Sequence, residues 1–431
     1  MNFESFIARR VATAGQQSFS RLIIRIAVIA VALSVAVMII STALIAGFKK
    51  EISTKIFGFW GHIHITDTDI NQNLLDADPI QANQDFYPTL DTIGRIPYTE
   101  YREFLGQVIR RQVLTEGGVR HIQVYALKPG IIKVKEEIEG IILKGVGSDF
   151  DWTFMNQYLV EGEKLNLSDT ATSSEILISR QTSDRLRIGI KDRFIVHFVQ
   201  EGQQLKRRFT VAGIYKTGLE EYDQKFAIVD IRQIQRLRNW SENQVSGFEV
   251  FIDDIDDLGP MAEYIYFEKL PSDLYAETIR EKLPEIFEWL DLQDINEVVI
   301  LSLMVVVAII NMITALMILI LERTNMIGTL KAIGATNWTI RKIFLYYAAY
   351  IVGVGLFWGN LAGIGLCLLQ ERFQFVKLEE ENYYLSVAPI DLNLWAILLL
   401  NLATLLITLF FLIIPSYLVT SISPVKAIRF K

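Results

Sequence analysis

Four stretches of the chain contain no charged residue, at 26–48, 298–321, 343–369 and 392–414. A bilayer core of about 30 Å takes about 20 helical residues to cross. Backbone amides in lipid must also find their partners within the segment. The four runs are therefore predicted to be transmembrane helices, separated by segments 1–25, 49–297, 322–342, 370–391 and 415–431. Buried helices of a soluble core seldom run this far without a charge. The first run also differs from a cleaved signal peptide. Polar or mixed residues precede it, its apolar stretch exceeds an h-region, and no A-x-A site follows. It is expected to stay in place as an anchor.

The pattern changes within 49–297. Phe48, Ile52 and Ile56 recur every four residues with charges between them, so the first helix is expected to continue past its apolar run. Gly58 and Gly61 are expected to end it. Residues 61–66 then alternate like a half-buried strand. Alternating or β-branched runs at 107–114, 119–127, 140–146, 175–179, 193–199, 208–215, 226–229 and 247–252 predict further strands. Short helices are predicted at 180–186 and 231–238. Residues 271–294 read as helix again, with Pro284 starting a new turn or kink, and lead into the second apolar run. The expected fold class is an α+β membrane protein: four transmembrane helices with a large mixed α/β extracytoplasmic domain between the first and second. No internal repeat or low-complexity linker is present.

Charge orients this arrangement. Of the 431 residues, 21% are charged, and the net charge is −7. Yet segment 1–25 is basic (Arg9, Arg10, Arg21 and Arg25 against Glu4). So is 322–342 (Arg323, Lys331, Arg341 and Lys342 against Glu322), and so is 415–431 with Lys426, Arg429 and Lys431. Segment 370–391 is acidic, and 49–297 carries the rest of the negative charge. Positive segments stay in the cytoplasm, which places both termini and 322–342 inside and 49–297 and 370–391 outside. Lys49, Lys50 and Lys55 run against this locally and are outvoted. An acidic outer domain also argues against nucleic acid as a partner. The single cysteine, Cys367, lies in the third run and can form no internal disulfide.

A search for reactive groups finds little. There is no Gly-Lys dipeptide, hence no Walker A loop, and no H-E-x-x-H. His62 and His64 share a strand face. With no cysteine or carboxylate cluster beside them, they read as polar residues on an open face rather than metal ligands. Asp253, Asp254, Asp256 and Asp257 lack EF-hand spacing and read as a solvated loop. No catalytic residue, bound metal or cofactor is assigned, and the chain is not expected to be an enzyme. No ionisable residue lies within the apolar runs, which disfavours an ion-coupled carrier. Asn311, Asn360 and Asn401 are expected to hydrogen-bond between helices. Gly355, Gly359 and Gly363 form a small-residue stripe for close helix packing.

The most specific stretch is Glu322-Arg-Thr-Asn-Met-Ile-Gly-Thr-Leu-Lys-Ala-Ile-Gly-Ala335. Thr324 or Asn325 can cap a short helix with Met326, Leu330 and Ile333 on one face and Lys331 off it. Gly334 stops that helix, and Thr336 or Asn337 caps the next. Taken alone, this is a re-entry turn with a short amphipathic helix along the membrane face. The stretch also resembles the coupling-helix region of type VII ABC transporter permeases, the FtsX-like, MacB-like and LolC/LolE-like proteins. Pro415-Ser-Tyr with Ser423-Pro-Val-Lys-Ala-Ile-Arg429 is similar to that superfamily's ending, and the topology agrees over the whole chain. The likeness is nearest to the lipoprotein-releasing LolC/LolE branch. It is carried by Phe6-Ile-Ala-Arg-Arg10, Gly140-Ile-Ile-Leu-Lys-Gly145, Glu175-Ile-Leu-Ile-Ser179, Arg208-Phe-Thr-Val-Ala-Gly-Ile214 and Tyr383-Tyr-Leu-Ser-Val-Ala-Pro389.

The resemblance implies a permease subunit of the bacterial inner membrane that releases lipoproteins from the outer leaflet. Its partners would be a second permease chain, in a homo- or heterodimer, two copies of a cytosolic ATPase that hold ATP and Mg, the lipoprotein, and a periplasmic carrier. It implies Porter-like and Sabre-like subdomains outside. It also implies ATPase coupling through Glu322, Arg323, Met326, Ile327, Gly328, Leu330, Lys331, Ala332, Gly334 and Ala335. In the carrier-recruiting subunit of that branch a long hairpin precedes the strand matching 208–215. Here only residues 200–204 occupy that place, which counts against carrier docking. The architecture further suggests lateral access for acyl chains between spans one and two of paired chains. Val37, Ile40, Leu44 and Phe48 would line it on one side, and Met304 and Val307 on the other. MacB-like efflux or mechanotransmission, and FtsX-like regulation of an outer hydrolase, share the topology and stand as rival readings.

Overall fold

The computed structural model describes residues 18–68, 78–104, 107–134, 137–167, 172–200 and 202–422. The resemblances at 6–10 and 423–429 lie outside these residues. The helices are α1 (Ser18–Trp60), α2 (Trp152–Tyr158), α3 (Arg180–Leu186), α4 (Glu220–Lys225), α5 (Ile231–Arg238), α6 (Leu258–Glu268), α7 (Ile279–Lys282), α8 (Pro284–Glu322), α9 (Thr324–Ala332), α10 (Asn337–Phe373), α11 (Glu380–Tyr383), α12 (Leu394–Ser416) and α13 (Leu418–Ser421). The strands are β1 (Ile63–Asp67), β2 (Ile80–Gln81), β3 (Pro97–Phe104), β4 (Gln107–Leu114), β5 (Val119–Val134), β6 (Glu137–Val146), β7 (Leu159–Gly162), β8 (Glu175–Ser179), β9 (Arg193–Gln200), β10 (Gln203–Tyr215), β11 (Phe226–Asp230), β12 (Gln244–Val245), β13 (Gly247–Ile252) and β14 (Leu274–Thr278). Two compact units result. One comprises residues 1–51, 288–377 and 387–431, and the other residues 52–287 and 378–386.

The first unit is helical. Among the described residues four helices are long and apolar enough to cross a membrane; they contain the first three predicted runs and all of the fourth but residues 392 and 393. With 43 residues, α1 is about 65 Å long, twice the thickness of a bilayer core, so much of it must lie outside lipid. The core of this unit is Val31, Val35, Met38 and Ile39 of α1, Met312, Leu316 and Ile320 of α8, Ile343, Phe344, Tyr347 and Ile351 of α10, and Leu412 of α12.

The second unit is built on a mixed sheet of ten strands. Its order is β14-β1-β13-β5-β6-β11-β8-β10-β7, with β9 pairing both β10 and β5. The pairs β6–β11 and β8–β10 are parallel and the others antiparallel. Strands β8, β11 and β13 are buried on both faces, with Ile176, Ile228 and Val250 enclosed, whereas β9 alternates buried and more exposed positions. Strands β3 and β4 form a separate hairpin, with Tyr101 and Val108 exposed.

Every strand predicted beyond residue 100 is present, as are the helices at 180–186 and 231–238. Three expectations fail. Gly58 does not break α1, which runs through it to Trp60, and a Cβ there would strike the Phe154 ring. Gly61 alone turns the chain, at φ +77°. Residues 274–278 are a strand rather than helix, because β14 completes the sheet against β1, and Pro284 begins a helix. His62 and His64 are not on an open face. Both are buried, since the last turn of α1 packs over them: His62 stacks on Phe57 at 4.5 Å, and His64 hydrogen-bonds the Trp60 carbonyl. The acidic loop is solvent-facing at Asp253 and Asp256, as expected, and Asp253 and Asp257 also accept from the backbone N–H groups of Gly118 and Gly117.

Candidate functional site

The elbow between α8 and α10 is shaped by backbone rules. No side chain caps α9, whose N-cap is Arg323. At its other end Gly334 adopts φ +97°. Its N–H donates to the Lys331 carbonyl at 3.0 Å, and the Ala335 N–H reaches the Leu330 carbonyl at 2.9 Å. This pair of bonds is the Schellman stop that a left-handed glycine permits. Thr336 caps α10 by accepting from the Thr339 N–H.

Side chains then fix the elbow. Ile327 and Gly328 are buried, and Met326, Leu330 and Ala335 pack against the helical core. Lys331 donates to the carbonyl oxygens of Val419 and Ile422, each at 2.7 Å. The Arg341 guanidinium lies 3.5 Å from the centre of the Tyr417 ring. Glu322 and Arg323 are half-buried at the end of α8. Of the residues assigned to coupling, only Ala332 and Gly334 face outward. Thr329, Ile333 (77% exposed) and Trp338 (55% exposed) join them there. Ile333 was expected on one face with Met326 and Leu330 but does not share their burial. As the C-cap, it leaves the helical spiral, and Ile327 takes the inner position.

The glycine stripe packs within the chain. A Cβ on Gly355 would meet Val31, one on Gly359 would meet the Ala32 carbonyl and Val35, and one on Gly363 would meet Ala36 and Ile39. The stripe therefore seats α10 directly on α1. Asn360 and Asn401 exchange amide hydrogen bonds at 2.7 and 2.9 Å, joining α10 to α12.

Residues 26–265 match the family described as MacB-like periplasmic core domain, and residues 298–424 match that described as FtsX-like permease C-terminal. The first of these covers more than half of the chain. The chain belongs to the MacB/FtsX-like permeases. Relatives include the lipoprotein-releasing system transmembrane protein LolC of Xylella fastidiosa (strain 9a5c), 22% identical over 94% of this chain and 93% of that one. Another is LolE of Haemophilus influenzae, 22% identical over 99% of each. The extracellular domain of the noncanonic ABC-type transporter YknZ is 14% identical, spans 50% of this chain and 98% of that domain, and superposes with a TM-score of 0.31.

In this permease the residues suggested for lateral access lie as follows. Leu44 (37%) and Val307 (43%) are exposed, while Val37, Ile40, Phe48 and Met304 are half-buried. Within one chain α1 and α8 are already joined beside these positions. Phe48 meets Trp289 edge-on at 5.4 Å, and Lys49 pairs with Asp294 at 2.6 Å. Lys50 pairs with Asp391 at 3.0 Å, and Gly47 lets the backbone at Pro389 approach α1 closely. The hairpin β9–β10 is paired from Arg193 and Thr210 out to Gln200 and Gln203, with Gly202 in its turn.

Proposed function

We propose that this permease is the membrane subunit of an inner-membrane ABC transporter that releases lipoproteins and is driven by a separate ATPase. The observation that carries this reading is the length of its correspondence with proteins named LolC and LolE, which takes in the spans, the mixed domain and the elbow together. Two permease chains pair, and each elbow docks on one ATPase copy through Thr329, Ala332, Ile333 and Trp338. ATP and Mg belong to that partner. Because Ile327, Lys331 and Arg341 tie the elbow to the spans, movement of the ATPase moves α8 and α10 rather than a loose loop. The termini and elbow lie in the cytoplasm. Residues 49–297 form the periplasmic domain, with Porter-like and Sabre-like parts.

Lipoprotein acyl chains reach the complex laterally, where α1 of one chain faces α8 of the other, past Val37, Ile40, Leu44, Phe48, Met304 and Val307. Each buried CH₂ contributes about 0.8 kcal/mol, so extracting several chains costs on the order of tens of kcal/mol. That cost requires both an apolar shelter and ATP. The test is reconstitution of the permease and its ATPase in liposomes carrying a diacylated or triacylated lipoprotein. ATP should release the lipoprotein to a soluble carrier, and photocrosslinkers at Leu44 and Val307 should capture it before ATP is added. ATP hydrolysis with no release, and capture of phospholipid alone, would overturn the reading in favour of mechanotransmission.

A further inference from the structure

Strands β3 and β4 stand apart from the ten-stranded sheet as a two-stranded hairpin. Its base is fixed. Ile96 and Thr115 are buried, the Thr115 N–H donates to the Ile96 carbonyl at 3.0 Å, and the Ile96 N–H donates to the Thr115 hydroxyl oxygen at 2.9 Å. Beyond that base the arm is bare: every residue of β4 except Val113 is exposed, and so is Tyr101 of β3 (63%). A two-stranded hairpin is at best marginally stable in water, and an open strand edge is a template for another strand. Among the described residues β3 pairs only with β4, so its other edge has no strand.

The order of charges along β3 fits that edge to itself. Only alternate residues present their N–H and C=O groups to one edge, so an antiparallel pairing of two identical edges is centred on a residue. Centred on Tyr101, two copies of β3 set position 100 of each, a glutamate, against position 102 of the other, an arginine. Thr99 then falls against Glu103, and Tyr98 against Phe104. Opposite charges and aromatic residues paired across strands are favourable, and like charges directly opposite are not. Moving the centre by one residue sets Glu100 against Glu100 or Arg102 against Arg102. The β4 edge behaves differently. Centred on Arg110 or on Arg111, its longest overlaps oppose an arginine to itself, and charge of this kind guards an edge against addition. Arg110 is also engaged within its own hairpin, with its guanidinium 5.6 Å from the centre of the Tyr101 ring.

We propose that the outer edge of β3 joins the outer domains of two copies of this chain, the two hairpins forming one four-stranded sheet about a two-fold axis at Tyr101. The proposal rests on the paired-permease reading above and deepens it, since it makes the second permease an identical chain. It is tested in membranes of cells producing the full chain and its ATPase, with two differently tagged copies on a Cys367→Ser background. Residues paired across an antiparallel ladder have Cα atoms about 4.5–5.5 Å apart, within reach of a disulfide. Mild oxidation should therefore link Tyr101→Cys of one copy to Tyr101→Cys of the other. Arg110 lies opposite Tyr101 on the far strand of the hairpin. Arg110→Cys is then three strand spacings from its counterpart, about 14 Å, and should stay unlinked. Arg102→Glu faces Ile109 across its own hairpin, so the like charge it creates is with Glu100 of the other copy. It should lower the Tyr101→Cys yield at least about five-fold, and Arg102→Lys should keep the yield within about two-fold. Co-purification of the two tags reports pairing separately. Pairing with no Tyr101→Cys link, or with a link no stronger than that of Arg110→Cys, overturns the β3 edge and leaves the paired permease standing. An undiminished yield in Arg102→Glu overturns the register, and self-recognition with it. Tags that do not co-purify overturn the pairing of identical chains and this surface together, while the lipoprotein reading is judged by the release assay above.

Discussion

The Lys331 ammonium donates to the Val419 carbonyl at 2.7 Å, which ties the elbow to the chain leaving the fourth span. A hydrogen bond from a charged group contributes about 1.5–3 kcal/mol, and Lys331 makes a second one to Ile422. Lys331→Met keeps the stem and removes both. It should leave the permease assembled while reducing substrate-stimulated ATP hydrolysis at least five-fold, with Lys331→Arg partly retaining it. Wild-type stimulation in Lys331→Met would show that the elbow does not need this anchor.

Gly334 fills a different role. Nothing lies within 4 Å of a Cβ placed there, so substitution costs arise from φ +97° alone. Gly334→Asn should be tolerated, because asparagine enters the left-handed region readily. Gly334→Val should abolish ATPase stimulation, because a β-branched residue there opens the helix stop. Equal behaviour of the two variants would assign Gly334 to ordinary loop.

The glycines of α10 make a steric contrast. A Cβ on Gly359 would sit 2.8 Å from the Ala32 carbonyl oxygen and from the Val35 Cβ, whereas Gly353 and Gly365 face open space. Overpacking of this kind costs about 1–3 kcal/mol. Gly359→Val should lower the thermal midpoint of the purified chain in detergent, and Gly353→Val should leave it nearly unchanged. Similar losses at both sites would refute direct seating of α10 on α1.

Orientation is open to labelling. On a Cys367→Ala background, an impermeant thiol reagent applied to cells with a permeabilised outer membrane should modify Arg193→Cys and spare Trp338→Cys. The reverse pattern would invert the topology drawn from the positive segments.

Much of this was readable along the chain because it is local. Charge-free runs identified the spans, alternating or β-branched runs found β1, β4 to β6, β8 to β11 and β13 but neither β7 nor β12, and Gly334 with Thr336 marked the junction of α9 with α10, whereas the cap expected at Thr324 or Asn325 is absent. The Asn360–Asn401 bond was foreseen because amides in lipid must find partners. What was missed depends on contacts distant in sequence. Residues 274–278 look helical until β1 offers them a ladder. His64 looks solvent-facing until α1 folds over it, and its partner Lys282 lies 218 residues away. At the elbow, Lys331 falls in the stretch that resembles the coupling-helix region and is assigned to coupling on that ground, yet its charge is directed inward to the Val419 and Ile422 carbonyls. Trp338 drew no attention because it lies just past the motif.

Burial of the two histidines has a measurable consequence. Desolvation, aided by the charge of Arg120, lowers the His62 pKa from 6.5 to about 3. His64 is held well below its ordinary value by burial and by Lys282. In the unfolded chain both take up a proton near pH 6.5. Below that value, and down to about 3 for His62, the unfolded state therefore binds more protons, so the contribution of both histidines is fully present above pH 6.5 and is lost as pH falls. The slope is about 1.4 kcal/mol per pH unit for each histidine. Buried carboxylates such as Glu249, whose pKa burial raises, act in the opposite sense, so the informative quantity is a difference between variants. His62→Phe preserves the stack on Phe57 and forgoes only a long 3.4 Å bond from the Ile252 N–H. Denaturant unfolding of the full chain in detergent between pH 6 and pH 4.5 should show a shallower acid loss for His62→Phe, by about 1.4 kcal/mol per pH unit. Identical slopes for the two proteins would mean that His62 is protonated in the fold, and that the last turn of α1 does not shield it from water.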